Sequence, residues 1–378
     1  MIKRVRDSSR LYLGGVHDVT RDKTTQSHDL LDVMGLSDTE GDVVLCFSEV
    51  RKEFMPCYHP LVGFPSGKIT VNGKEKMVIK PEYLKSHSLD DVNLKNGVLL
   101  PCGHCIGCRL DYSRRWADRM MLELETSRSA IFVTLTYDND HIHWSQFDQN
   151  DCPIFGTLDK RDCQLFMKRL RKEFCDVKIR FYLAGEYGEH TLRPHYHAII
   201  YGIGLSDIGD CVPFGRNDLG QAYYISKRFQ EIWTLGNVLL ADVSWQTCAY
   251  VARYVTKKLN GEKSISYAQR NVIPEFSLMS RKPGIGREYL ELHPDCLDSV
   301  NINLSTSEGG LKISIPKYYL KQLELKDNEK YVKMMEQRKR FAQDSLYLKL
   351  SNTDNDFLDY LSVCEGNKIA KIKALKRE

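Results

Sequence analysis

Arg193-Pro194-His195-Tyr196-His197-Ala198-Ile199-Ile200-Tyr201 alternates as a β-strand does. His195, His197, Ile199 and Tyr201 fall on one face, and Tyr196, Ala198 and Ile200 on the other. Imidazoles two apart on a strand point the same way, close enough to share one metal ion. A bare His-x-His matches by chance more often than it binds anything, so the surroundings matter. Upstream, Lys178-Ile179-Arg180-Phe181-Tyr182-Leu183-Ala184-Gly185-Glu186 is a second alternating run, and the connector with Gly188 and Pro194 reads as a hairpin turn. That hairpin sets Glu186 beside the histidines. Two imidazoles and one carboxylate suit Mg²⁺ or Mn²⁺ recruited with a phosphate substrate. Glu189, in the turn, is the alternative third ligand; Glu186 is favoured because it belongs to the strand.

A helix is expected from Cys248 to Leu259. At about 100° per residue, Cys248, Ala252, Val255 and Leu259 form an apolar stripe. Tyr250, Tyr254 and Lys257 fall opposite it. Tyrosines four apart are neighbours on a helix, and both are expected to point away from the buried face.

Phe132-Val133-Thr134-Leu135-Thr136-Tyr137, His195-Tyr196-His197 and Tyr250-x-x-x-Tyr254-x-x-Lys257 occur in that order. The ordered set resembles the motifs of rolling-circle replication initiators, the His-hydrophobic-His endonucleases of the two-tyrosine class. Pro101-Cys102-Gly103-His104-Cys105-Ile106-Gly107-Cys108-Arg109 and Arg281-Lys282-Pro283-Gly284-Ile285-Gly286 resemble the initiator of gokushovirus-type small single-stranded DNA phages (Microviridae). The resemblance runs from about Met55 to Tyr289. Plasmid relaxases carry their tyrosines before the histidines, so the motif order separates this chain from them.

The resemblance implies an α+β fold, an antiparallel sheet with flanking helices around a ferredoxin-like or RRM-like core. It also implies metal-dependent nicking of an origin strand through a 5′-phosphotyrosine, then strand transfer and ligation that release circular single-stranded DNA. Glu186, His195 and His197 would hold the metal. Tyr250 or Tyr254 would attack, and Lys257 would hold a phosphate or favour the phenolate. Arg253 stands where a relative carries lysine. Arg193, Lys258, Lys168 and Arg169 are the candidate DNA contacts. The implied partners are origin DNA, single-stranded or supercoiled, with a host helicase and DNA polymerase in the cytoplasm of the bacterial host. Two other classes compete: a noncatalytic zinc-knuckle DNA-binding module, and a metal-dependent phosphodiesterase acting on RNA.

The chain has 378 residues and a net charge of +4, mild enough that any nucleic-acid footprint must come from local clustering. No apolar run reaches membrane-span length, and the start, Met1-Ile2-Lys3-Arg4-Val5-Arg6-Asp7, lacks a signal-peptide core. Twelve cysteines without such a signal favour thiols and metal ligands over disulfides.

Four regions are expected. Residues 1–54 form an N-terminal extension of unknown role, with a candidate strand at Val43-Val44-Leu45-Cys46-Phe47 and a family-like start at Met55. Residues 55–126 are Cys-rich, with Asn72-Gly73 as a hairpin turn. Cys102, Cys105 and Cys108 are spaced C-x₂-C-x₂-C, and Cys57 would complete a structural Zn²⁺ site. His104 is the other candidate ligand; an iron–sulfur cluster and plain buried cysteines are the competing readings. In the helix that follows, Arg114, Arg115 and Arg119 belong either to a solvated face or to a phosphate-contacting one.

Residues 127–290 form the endonuclease core. Thr134 and Thr136 share a strand face suited to lining a site. The helix marked by Cys163, Phe166, Met167, Leu170 and Phe174 carries Lys168, Arg169, Arg171 and Lys172 outside. Strand, helix and hairpin make a split β-α-β, and the 283–286 turn is a candidate DNA contact. Residues 291–378 form a helical region in which Pro316 opens a helix. They end in a basic tail with Lys368, Lys371, Lys373, Lys376 and Arg377, read as frayed and solvated or as a nonspecific DNA attractor.

Overall fold

The computed structural model describes residues 57–69, 75–147, 149, 153–188, 191–216, 220–257, 265–299, 301–306 and 309–375. The expectations for residues 1–54 and for the Asn72-Gly73 turn fall outside these.

The N-terminal strands are β1 (Leu61–Ile69), β2 (Glu75–Lys80) and β3 (Val98–Leu100), with helix α1 (Leu89–Leu94) between the last two. They form a small sheet in the order β2-β1-β3. Then come α2 (Ile106–Thr126), β4 (Ala130–Tyr137), the hairpin of β5 (His143–Phe147) and β6 (Pro153–Thr157), α3 (Lys160–Glu173), β7 (Arg180–Tyr187) and β8 (Pro194–Tyr201). Next are α4 (Leu205–Ile208), β9 (Val212–Arg216), β10 (Ala222–Ile225), α5 (Lys227–Trp233), β11 (Gly236–Asp242), α6 (Trp245–Lys257), α7 (Ile265–Gln269), β12 (Phe276–Met279) and α8 (Arg287–Leu292). The chain ends with the hairpin of β13 (Asn301–Thr306) and β14 (Gly309–Ser314), then α9 (Lys317–Lys326), α10 (Asn328–Leu350) and α11 (Phe357–Leu375).

The central sheet runs β12-β7-β8-β4-β11-β10-β9, antiparallel at every pairing. β8 inserts between β7 and β4, which α3 connects, so the split β-α-β is present. β4, β7 and β8 are buried on both faces because helices cover both. On one face α3 and α5 contribute Cys163, Phe166, Met167, Leu170, Phe229 and Trp233, packed on Val133, Leu183 and Ile200. On the other face α2 and α6 pack with Phe132, Tyr182, Ile199 and Leu239, joined by β13, β14 and α9. The fold is α+β, an antiparallel sheet with flanking helices. Among the described residues, no helix is long and apolar enough to cross a membrane.

Double coverage corrects one expectation. A single-stripe reading of α6 turns Tyr250 toward solvent, yet Tyr250 is buried against Phe132 and His197 of the sheet. Cys248 and Ala252 occupy one side of the helix and Tyr250 another, and both sides have something to pack against.

Arg114, Arg115 and Arg119 of α2 each have a partner within the chain. Arg114 and Arg115 pair with Asp111 at 3.1 and 2.5 Å. The Arg119 guanidinium lies over the rings of Trp116 and Tyr318 and donates from Nε to the Ile285 carbonyl at 2.6 Å.

The basic turn before α8 is held just as firmly. Buried Glu123 pairs with buried Arg180. Glu123 also accepts from the Gly286 amide at 2.6 Å, and Arg180 donates to the Pro283 carbonyl at 2.9 Å. Each charge thus has partners for its remaining hydrogen bonds, the condition under which a buried pair is tolerated. Gly286 is the glycine the turn requires: its φ is +74°, a left-handed conformation that favours glycine. Residues 283–286 are therefore a buckle between α2 and β7, while Arg281 and Lys282 stay exposed.

Residues 357–375 form the helix α11, in which Lys368 is buried while Lys371 and Lys373 are exposed; Lys376 and Arg377 lie outside the described residues.

Candidate active site

The β7–β8 hairpin pairs Glu186 with His195 and Ala184 with His197. Across β8, Thr136 stands opposite His195 and Thr134 opposite His197. Alternation puts Glu186, both histidines and both threonines on the face beneath α6. Glu186 is 2% exposed, and His195 and His197 are 0% exposed.

The three side chains converge on one point. Glu186 Oε1 lies 2.7 Å from His195 Nε2 and 3.1 Å from His197 Nε2. Cis ligands of an octahedral ion with bonds of about 2.1 Å stand about 3 Å apart, so the spacing fits Mg²⁺ or Mn²⁺. The outer ring nitrogens fit as well. His195 Nδ1 donates to the Arg193 carbonyl at 3.1 Å, and His197 Nδ1 meets the Thr134 hydroxyl at 2.9 Å. With Nδ1 held by that carbonyl, Nε2 is the ring atom of His195 that faces the Glu186 carboxylate, the orientation a metal ligand needs. Burial alone would push the Glu186 carboxyl up, but the two imidazoles outweigh it and hold the group below the usual carboxylate range.

Tyr250 stands at the rim of this cluster. Its hydroxyl is 3.5 Å from His197 Nε2, and its ring meets the His197 ring edge-on with centroids 5.0 Å apart. Phe132 stacks on His197 with centroids 5.6 Å apart and also meets the Tyr250 ring edge-on. The Arg253 guanidinium lies 5.3 Å from the Tyr250 ring centre. Tyr254 and Lys257 belong to α6 by their backbone, whereas their side chains, and all of Lys258 and Glu189, lie outside the described residues.

The other candidate DNA contacts stand elsewhere. Lys168 and Arg169 are on α3, which covers the opposite face of the sheet, and Arg169 donates to the Trp233 carbonyl at 2.9 Å. Arg193 donates to Asn139 at 2.7 Å and to the Tyr137 carbonyl at 2.9 Å, while its own carbonyl orients His195. Its place in the fold is that of a brace for the hairpin.

Sequence reasoning missed Phe132 and the Arg193 carbonyl as supports of the histidines. The signal was the strand register, which brings β4 beside β8 and is not printed in either strand alone.

Thr134 gives a direct test of that support. Thr134→Val keeps the side-chain shape and removes the bond to His197 Nδ1. Loss of an outer-shell partner of this kind costs about 10–100-fold in metal affinity or activity. The Mn²⁺ concentration for half-maximal DNA cleavage should rise within that range, with the rate at saturating Mn²⁺ close to wild type. An unchanged metal requirement would show that Thr134 does not position the imidazole.

An antiparallel sheet whose central strands present two imidazoles and a carboxylate beneath a tyrosine-bearing helix defines the class. A family model for replication-associated proteins of the ORF2 kind matches residues 130–259, from β4 through α6. Replication-associated protein ORF2 of Spiroplasma virus 4 is 30% identical over 271 residues, which are 69% of this chain and 80% of that protein. Replication-associated protein VP4 of Bdellovibrio phage phiMH2K is 30% identical over 223 residues, 58% of this chain and 65% of the relative. Replication-associated protein ORF4 of Chlamydia phage 1 is 32% identical over 164 residues, 42% of this chain and 38% of the relative. No solved structure matches the chain. The chain belongs to the family of phage replication-associated proteins, the replication initiators of Microviridae-type phages.

Proposed function

We propose that this initiator nicks one strand of the phage origin and stores the cut end on a tyrosine. The observation that carries the reading is the Tyr250 hydroxyl, 3.5 Å from His197 Nε2, at the edge of the Glu186–His195–His197 cluster. Glu186, His195 and His197 would hold Mg²⁺ or Mn²⁺. When bound, the ion polarises the scissile phosphate and neutralises charge as the attacking oxygen arrives.

The chain's own residues do the rest. A phenol oxygen, from Tyr250 or Tyr254, forms a bond to phosphorus while the bond from phosphorus to the 3′ oxygen breaks. The phenol loses a proton, the leaving 3′ oxygen gains one, and a 5′-phosphotyrosine remains. Lys257, three residues beyond Tyr254, would hold a phosphate or favour the phenolate. Burial of the three ligands keeps bulk water away, which favours return of the phosphoryl group to a DNA hydroxyl over hydrolysis. Because the phosphodiester is exchanged and not lost, later joining needs no nucleotide cofactor. A host polymerase would extend the free 3′-hydroxyl, with a host helicase opening the duplex, in the cytoplasm of the bacterial host.

The test is incubation of the full chain with labelled single-stranded origin DNA and Mn²⁺, resolved on a denaturing gel. A protease-sensitive protein–DNA band that a chelator prevents is expected. Cleaved DNA without that band would make the protein a hydrolytic phosphodiesterase, and bound but uncut DNA would make it a binding module.

A further inference from the structure

A second cluster of metal-ligating side chains lies outside the candidate active site. We propose that Cys57, Cys102, Cys105 and Cys108 form a closed structural Zn²⁺ site that fastens the N-terminal segment to the start of α2 and backs the C-terminal helix α11. The ligand atoms of these cysteines all lie within 4.8 Å of one another. Cys102 Sγ and Cys108 Sγ are 3.9 Å apart, too far for a disulfide. A tetrahedron with Zn–S bonds of about 2.3 Å has edges of about 3.8 Å, so the distance is that of two thiolates on one zinc.

The backbone is already arranged around sulfur. Cys102 N donates to Cys57 Sγ at 3.2 Å. Tyr58 N, Cys105 N and Cys108 N donate to Cys105, Cys102 and Cys105 Sγ respectively, each at 3.4 Å. Amide donors of this kind favour thiolates, as does the N-terminus of α2, where Cys105 is the cap. His104 is excluded as a ligand: it is exposed, and its Nδ1 bonds the Cys102 carbonyl at 2.9 Å. With four protein sulfurs and no open position, the site is structural and not catalytic.

The surroundings show what such a site would hold. Besides the sulfurs, the cluster contains only Tyr58 and partly buried Ile106 and Cys364 among the described apolar residues. That is little apolar surface to join a strand entry, a helix start and a distant helix. Cys364 belongs to α11, and the neighbouring Glu365 meets His59 Nε2 at 2.7 Å. Zinc here would therefore fix the start of α2, the helix packed along α6, together with the inner face of α11.

The experiment uses the full chain purified without a metal-affinity tag. Elemental analysis should find about one zinc per chain that survives a chelator able to strip Mg²⁺ or Mn²⁺, since structural zinc is bound far more tightly. X-ray absorption at the zinc edge should show four sulfur neighbours at about 2.3 Å. His197→Ala and His104→Ala should keep the zinc, and Cys105→Ser should lose it. Hydrogen exchange on the Cys105→Ser protein should speed at the start of α2 and in α11. Should that variant fail to fold, the wild-type absorption spectrum decides alone. Zinc that disappears in His197→Ala, iron in place of zinc, or folded wild-type protein without metal whose four thiols all react would each overturn the assignment. None of these outcomes depends on nicking, so the zinc site and the proposed function stand or fall separately.

Discussion

His197→Ala should reduce formation of the covalent DNA adduct by more than a hundredfold, beyond the about 10–100-fold typical of losing an outer-shell partner. His197 is the hub of the site: Glu186 and Tyr250 meet its Nε2, Thr134 holds its Nδ1, and Phe132 stacks on its ring. Without the imidazole, the carboxylate and His195 cannot enclose the ion, and Tyr250 loses its contact. DNA binding should survive, because contacts to phosphates along the strand, and not this buried cluster, supply most nonspecific affinity. Chelation of wild-type protein should mimic the variant without altering the fold. Added Mn²⁺ should rescue the chelated wild type and leave His197→Ala inactive. Thermal melting separates a chemical defect from an unfolded one. Full adduct formation by His197→Ala in the presence of chelator would remove the metal from the mechanism.

Much of the site was legible because it is local. Glu186, His195 and His197 sit on two strands of one hairpin, and alternation alone orders their faces. The cysteine spacing was equally local, with Cys57 the one member brought from afar.

What failed to show depends on how the helices stack. The stripe on α6 describes one covered face, whereas Tyr250, outside that stripe, is buried against Phe132 and His197 of the sheet. Charge in a sequence does not reveal its partner: Arg119 and Arg169, candidate phosphate contacts by sequence, donate to the carbonyls of Ile285 and Trp233. Lys368 likewise reads as tail and is buried.

Replacing both tyrosines should abolish the covalent adduct, and replacing either should leave part of the first cut while crippling the second. The reason lies in the arithmetic of replication. In the proposed cycle the first nucleophile is occupied after one round by the parental 5′ end, and release of a unit-length circle needs another cleavage at the regenerated origin. A second hydroxyl must then reach the same metal ligands. Helical rise places positions 250 and 254 about 6 Å apart along α6 on one face, so a shift of one turn exchanges them. Tyr250 is the one seated against His197, which favours it for the first strand. Tyr250→Phe should accordingly slow the first cleavage more than Tyr254→Phe does, and both should be badly impaired in circle release. Peptide mapping of the wild-type adduct should find DNA on both residues. If Tyr250→Phe releases circles at the normal rate, the tyrosines do not alternate and Tyr254 works alone.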